Sequence, residues 1–153
     1  MKKPTAAGAI TIGVDTTDKP TAVELARRSV ETFVSKDIKG WVALADENIL
    51  TEFPFAPEGS PRRLEGRDAL YEYIKDYPSV IDIRSMPTWK AYATDEPNTA
   101  IVEWSVSGKV LPNGNSYDMK YATFVTFRDG LMTNYREYWD PMTFLKNMGD
   151  ARF

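Results

Sequence analysis

The 153-residue sequence contains no histidine and no cysteine. Those two absences remove Ser-His-Asp and Cys-His nucleophilic catalysis, disulfides, and nearly every zinc, copper or haem site built on imidazole or thiolate. Positive charge is also scarce. Nineteen Lys and Arg against 22 Asp and Glu leave a net charge of -3, and the basic residues are scattered, so no phosphate-tracking surface for nucleic acid is expected. No apolar run approaches the roughly 20 residues that a membrane span needs, which excludes a membrane partner from the reading. Gly-rich phosphate loops are missing, with nothing matching GxGxxG or a P-loop. Chemistry is left to carboxylates, tyrosine, lysine, arginine and backbone groups, with no cofactor and no metal.

What is present has the make-up of one globular domain: 42% apolar, 27% charged and 12% aromatic residues. Residues 1–19 are small, polar and aperiodic and read as a flexible N-terminal arm. Their first 14 residues carry two lysines before an apolar stretch, but glycines and a threonine dilute it and no cleavage site stands out, so a cytoplasmic protein is expected.

The folded domain is expected over residues 20–153. Pro20, a Thr21 and Glu24 capping box and helical spacing of Val23, Ala26, Val30, Phe33 and Val34 predict a first helix. Asp37 caps a second with Ile38, Trp41, Val42 and Ala45 on its apolar face. Residues 49–55 read as a strand, and Gly66 and Asp68 introduce a third helix with Leu70, Tyr73, Ile74 and Tyr77 along one side. From Pro78 the period is two. A long strand bent at Pro87 carries Ile81, Ile83, Trp89 and Ala91, and the next carries Ala100, Val102, Trp104 and Val106. A third carries Tyr117, Met119, Tyr121, Val125 and Phe127, and the Asp129-Gly130 turn feeds a last strand over 131–139. Asp140-Pro141 opens a short helix bearing Met142, Leu145 and Met148. The order ααβαββββ plus a C-terminal helix predicts an α+β fold in which a curved antiparallel or mixed sheet wraps around helices as a cone with an internal pocket.

Strand parity identifies the candidate chemistry. Thr133, Tyr135, Glu137 and Trp139 share one face of the last strand, and Met132, Asn134, Arg136 and Tyr138 the other. If the first face lines the pocket, desolvation raises the pKa of Glu137 toward neutrality and makes it a general acid or base; parity alone leaves a solvent-facing position equally open. Glu52 is a second carboxylate in an apolar run, either turned inward as an acid-base partner or outward on an edge strand. Tyr73, Tyr77, Trp89, Trp104, Tyr117, Met119, Tyr121, Tyr135 and Trp139 fall on apolar faces, as core or as the lining of a site for a flat ring. Glu103 faces away from Trp104, where it could serve a dimer contact with Arg136 and Tyr138.

The order of elements, with Gly66-Arg67-Asp68, Asp95-Glu96-Pro97-Asn98, Val102-Glu103, Gly108-Lys109, Tyr135-Arg136-Glu137-Tyr138 and Leu145-Lys146-Asn147-Met148-Gly149, resembles the SnoaL-like, nuclear-transport-factor-2-like superfamily. Within it the chain is most similar to the PhzA/PhzB-like phenazine-biosynthesis proteins. The resemblance implies a cofactor-free homodimer that binds cyclohexenone-type amino ketones and assists their condensation, with an acid-base glutamate at Glu137. Where those proteins use a histidine on the third helix, this chain has Tyr73. Other branches are steroid isomerases, polyketide cyclases and epoxide hydrolases; the Arg and Asp of the last are replaced by Trp104 and Val106. The expected activity is acid-base isomerisation, cyclisation or condensation of a carbonyl or imine compound among aromatics, with Glu137 as proton carrier and Tyr73 and Glu52 as helpers. The competing reading is a non-catalytic protein that sequesters an aromatic or polycyclic ligand.

Overall fold

A computed structural model describes residues 19–153, so residues 1–18 of the N-terminal arm lie outside the described residues. Helix α1 (Ala22–Val34) opens on the capping box, with Thr21 accepting from the Glu24 amide and the Glu24 carboxylate accepting from the Thr21 amide. Its buried face is Ala22, Leu25, Ala26, Ser29 and Val30, which leaves Val23 half-buried on its flank. Helix α2 (Ile38–Val42) is capped by Asp37 and leads directly into strand β1 (Ala45–Glu52).

The remaining elements are β2 (Arg63–Glu65), α3 (Arg67–Ile74), α4 (Tyr77–Val80), β3 (Ile81–Ser85), β4 (Trp89–Ala93), β5 (Thr99–Val110), β6 (Ser116–Arg128), β7 (Leu131–Tyr138) and α5 (Pro141–Met148). The seven strands form one sheet in the order β2-β1-β7-β6-β5-β3, with β4 also paired to β5. All pairs are antiparallel except β1 with β7, which run parallel. Helices α1, α2 and α3 pack across the concave side of this mixed sheet and confirm the α+β cone.

Five local expectations are corrected. The first strand starts at Ala45 and stops before Phe53 and Pro54, and the short β2 pairs with it. The third helix ends at Ile74; Tyr77 starts α4, where Pro78 suits the first turn but could not donate to a continuing helix. Pro87 divides the long strand into β3 and β4, each paired separately to β5. In α5 Met148 is buried as expected, but its partner on the buried face is Phe144, four residues back, while Met142 is 79% and Leu145 42% exposed.

The fifth correction concerns β7. Asp129 (φ 53°) and Gly130 (φ 82°) close the tight turn that lets β7 fold back on β6. Leu131 and Met132 then pair with Arg128 and Phe127, but Asn134 pairs with Thr126, so Thr133 is an extra residue that bulges out of the ladder. Met132 is consequently buried on the inner face, not the outer one, while Tyr135 and Glu137 keep the inward positions.

Close approach of the sheet edge is set by Gly108. A Cβ there would lie 2.0 Å from the Asp82 carbonyl oxygen and 2.9 Å from its carbon, so β3 can lie across β5 only where a side chain is lacking.

Candidate active site

The parity of β7 puts Tyr135, Glu137 and Trp139 on the concave side, where the helices close a cavity of about 50 Å³. Eleven of its fourteen lining residues are aromatic, and Glu137 is the single ionic one. Glu137 is 8% exposed. Burial pushes its pKa from 4.5 up to about 7, against the opposing effect of hydrogen bonds from Tyr135 and Thr123.

Both of those bonds reach the same oxygen. The Tyr135 hydroxyl, two residues back on the same face, donates to Glu137 Oε2 at 2.7 Å, and Thr123, directly opposite on β6, donates to Oε2 at 3.1 Å. The direction of the second is fixed from behind: Trp104 Nε1, which can only donate, gives its hydrogen to Thr123 Oγ1 at 3.1 Å. Thr123 therefore has its own hydrogen free for Glu137. Among the described residues no hydrogen bond reaches Oε1, so the proton that Glu137 carries near neutral pH belongs on that oxygen, and Oε1 is the atom able to exchange it with a bound molecule.

A second polar group faces the aromatic space. The hydroxyls of Tyr117 and Tyr121, four residues apart on β6, are 2.8 Å from each other, and Tyr77 on α4 joins them. Burial holds the Tyr77, Tyr121 and Tyr135 hydroxyls well above their ordinary range, with Tyr117 pushed up to about 12. Tyr73 is raised as well, by burial first and by the negative charge of Glu137 second. These phenols therefore act as hydrogen-bond donors, not bases, at physiological pH.

Of the sequence candidates, Glu137, Tyr73, Tyr77, Trp104, Tyr121, Tyr135 and Trp139 are brought together around this cavity. Tyr117 stands behind Tyr121 and touches the site through its hydroxyl. Met119 is buried elsewhere in the core, with its sulfur 4.0 Å from Asn147 of α5. Trp89 lies outside the cavity with the Arg27 guanidinium 4.8 Å from its ring centroid. Glu52 is the clear correction: it turns to the outer face opposite Thr51 and Phe53 and lies 3.9 Å from Arg63, so it shares no space with Glu137.

Missed from the sequence were Phe33, Trp41, Phe53, Phe144 and Phe153 as lining residues. Phe53 was accessible to parity, since it must face opposite Glu52. Trp41 meets Tyr135 edge-on at 5.6 Å, a contact that only the fold of α2 over the sheet creates. Phe153, beyond α5, stands edge-on to Tyr73 and Tyr77 at 5.5 and 5.1 Å and carries no periodic signal. Among the described residues no three acidic side chains gather to hold a metal ion, and no helix is long and apolar enough to cross a membrane.

Comparison with known proteins agrees with this architecture. Residues 26–135 match the family described as the SnoaL-like domain, a span that ends two residues before Glu137. The uncharacterized Bacillus subtilis protein YesE is 41% identical over 130 residues, 85% of this chain and 88% of the relative. A crystal structure of a candidate isomerase from Bacillus subtilis superposes with a TM-score of 0.80 at 40% identity, covering 86% of this chain and 94% of that one. A phenazine biosynthesis-related protein of Pseudomonas aeruginosa superposes with a TM-score of 0.65 at 26% identity, covering 84% and 89%.

Proposed function

The chain belongs to the SnoaL-like domain family, and from that premise we propose that it is a cofactor-independent isomerase or cyclase acting on a small carbonyl or imine compound, with Glu137 as its proton carrier. The observation that carries this reading is the asymmetry of Glu137: one oxygen engaged by two donors, the other free, in a buried carboxyl poised near neutrality. Ionised Glu137 takes a proton from the carbon beside the carbonyl through Oε1, an enolate forms, and the same oxygen returns the proton to that carbon or to a conjugated one. The step balances without any outside reactant. Tyr73, which stands where the phenazine-biosynthesis proteins use an imidazole, contributes a hydroxyl that stays protonated and can donate to the enolate oxygen. The resemblance of the Bacillus subtilis and Pseudomonas aeruginosa structures, with their isomerase and phenazine-biosynthesis descriptions, supports the reaction class.

The test is exchange of α-hydrogens of a cyclic ketone into deuterated solvent. The wild type should accelerate exchange, and because the base form of Glu137 is required, the rate should rise with pH through about 7 and level off above it. Tight binding without exchange would sink the enzymatic reading in favour of a ligand carrier.

We also propose that the protein is a homodimer joined through the outer face of the sheet. Support comes from Arg136, whose guanidinium lies 4.6 Å from the Phe124 ring centroid beside Tyr138, an aromatic surface flanked by the exposed Phe55. Light scattering at micromolar concentration should give twice the chain mass; a monomer would overturn the assembly.

A further inference from the structure

The charge balance of the cavity has no cation in it. Among the described residues none of its lining side chains is Lys or Arg, and Glu137 is the single side chain there that ionises near neutral pH. The basic residue nearest to it in sequence, Arg136, lies on the opposite face of β7 against Phe124 and Tyr138. Arg27 covers Trp89 outside the cavity, and Arg62 donates to the Ala56 carbonyl. A ligand carboxylate buried here would find no counter-charge, and it would stand beside a carboxyl of the same sign.

The chain also shows what the cavity does accept. Phe153 follows α5 in a non-helical tail held by the Ala151 amide bond to the Met148 carbonyl and by Arg152 bonds to Gly149 and Ala151. Its phenyl ring occupies an edge of the cavity between Tyr73 and Tyr77, and with it in place the free volume of about 50 Å³ holds only a few waters. The other lining side chains sit on helices and strands or on the residue immediately following β1 or β7. Phe153 is therefore the wall that can yield, and it is itself an uncharged ring. Trp139 Nε1 is buried without an acceptor among the described residues, so a donor stands ready for a carbonyl oxygen whatever the charge on Glu137.

We infer that the cavity takes an uncharged ring-bearing carbonyl compound, seated where the Phe153 phenyl stands, and rejects carboxylate-bearing rings of the same shape. This deepens the reading of the cavity as the small-molecule site and is separable from it, because binding is measured without turnover. Glu137 serves as an internal gauge of the penalty: burial keeps even this carboxyl, with two hydrogen-bond donors, largely uncharged below about pH 7. The site thus parts company with chemistry on carboxylated rings, for which a basic anchor would be needed.

Acetophenone and benzoate are nearly isosteric and differ in charge, so they are the probes. At pH 8, NMR titration of the wild-type protein, followed on the indole N–H signals of Trp104 and Trp139, should show benzoate binding at least tenfold more weakly than acetophenone. Benzoate within tenfold of acetophenone, or no acetophenone binding at millimolar concentration, overturns the proposal. Phe153→Ala should tighten acetophenone binding by vacating the seat; unchanged or weaker binding assigns Phe153 a fixed wall and overturns the seat. Selective binding with no hydrogen exchange would instead remove the catalytic reading and leave the charge selection standing.

Discussion

Glu137→Gln should be more stable than the wild type by about 3 kcal/mol at pH 8, while its hydrogen-exchange activity falls by roughly two to four orders of magnitude. The two effects have one origin. In the folded chain the carboxyl titrates near 7, against 4.5 when solvated, so between those values the folded state holds a proton that the unfolded state has released. Stability conferred by the protonated form is fully present below about 4.5 and is lost progressively as pH rises to about 7. At about 1.4 kcal/mol per pKa unit, the loss is complete at pH 8 and comes to about 3 kcal/mol. Glutamine keeps the acceptor for Tyr135 and Thr123 but never ionises, so its urea midpoint should stay flat where the wild-type midpoint falls. Equal midpoints at pH 8 would mean that the carboxylate is solvated in the fold, and the acid-base assignment would lose its physical basis. Full activity in the variant would remove Glu137 as the proton carrier.

Gly108→Ala should cost about 3 kcal/mol or more, a large share of a domain's stability. The added methyl would lie 2.0 Å from the Asp82 carbonyl oxygen and 2.9 Å from its carbon, both backbone atoms with no rotamer to escape into. Relief requires β3 to leave β5, which breaks the pairing of Ile81 with Val110 and of Asp82 with Lys109 and exposes the buried Ile81 and Ile83. Urea unfolding measures the loss, and amide exchange in residues 81–85 should accelerate before that of β6. A variant within 1 kcal/mol of the wild type would show that β3 shifts freely along its neighbour.

The sequence was legible wherever a local rule and the tertiary structure agree. The Thr21 and Glu24 box, the Asp37 and Asp140 caps and the Asp129-Gly130 turn are short-range devices, and each sits where spacing alone places it. The alternation in β5 and β6 was legible because both strands have one face on the core and run long enough to repeat it. Glu137 could be reached by parity only with two alternatives open, since a period of two names the pair of faces without saying which is inside. The fold decides it, because Tyr135 and Thr123 both turn toward the helices. Glu52 failed for the complementary reason: its neighbours Thr51 and Phe53 occupy the inner face, and the apolar run around it misled because Leu50 and Phe55 are outside the core. Parallel pairing of β1 with β7, and the return of Phe153 over the cavity, join residues more than 70 positions apart and leave no local trace.

The extra residue at Thr133 has a consequence for chain length. Removal of one residue from Leu131 to Thr133 would straighten β7 into the register it already holds beyond Asn134, and Glu137 would still face Thr123. Removal of one residue between Asn134 and Glu137 would carry the glutamate to the place opposite Phe124, on the outer side of the sheet. The hairpin therefore divides into a stretch where the gene can gain or lose a codon and a stretch of four residues where it cannot without discarding the acid.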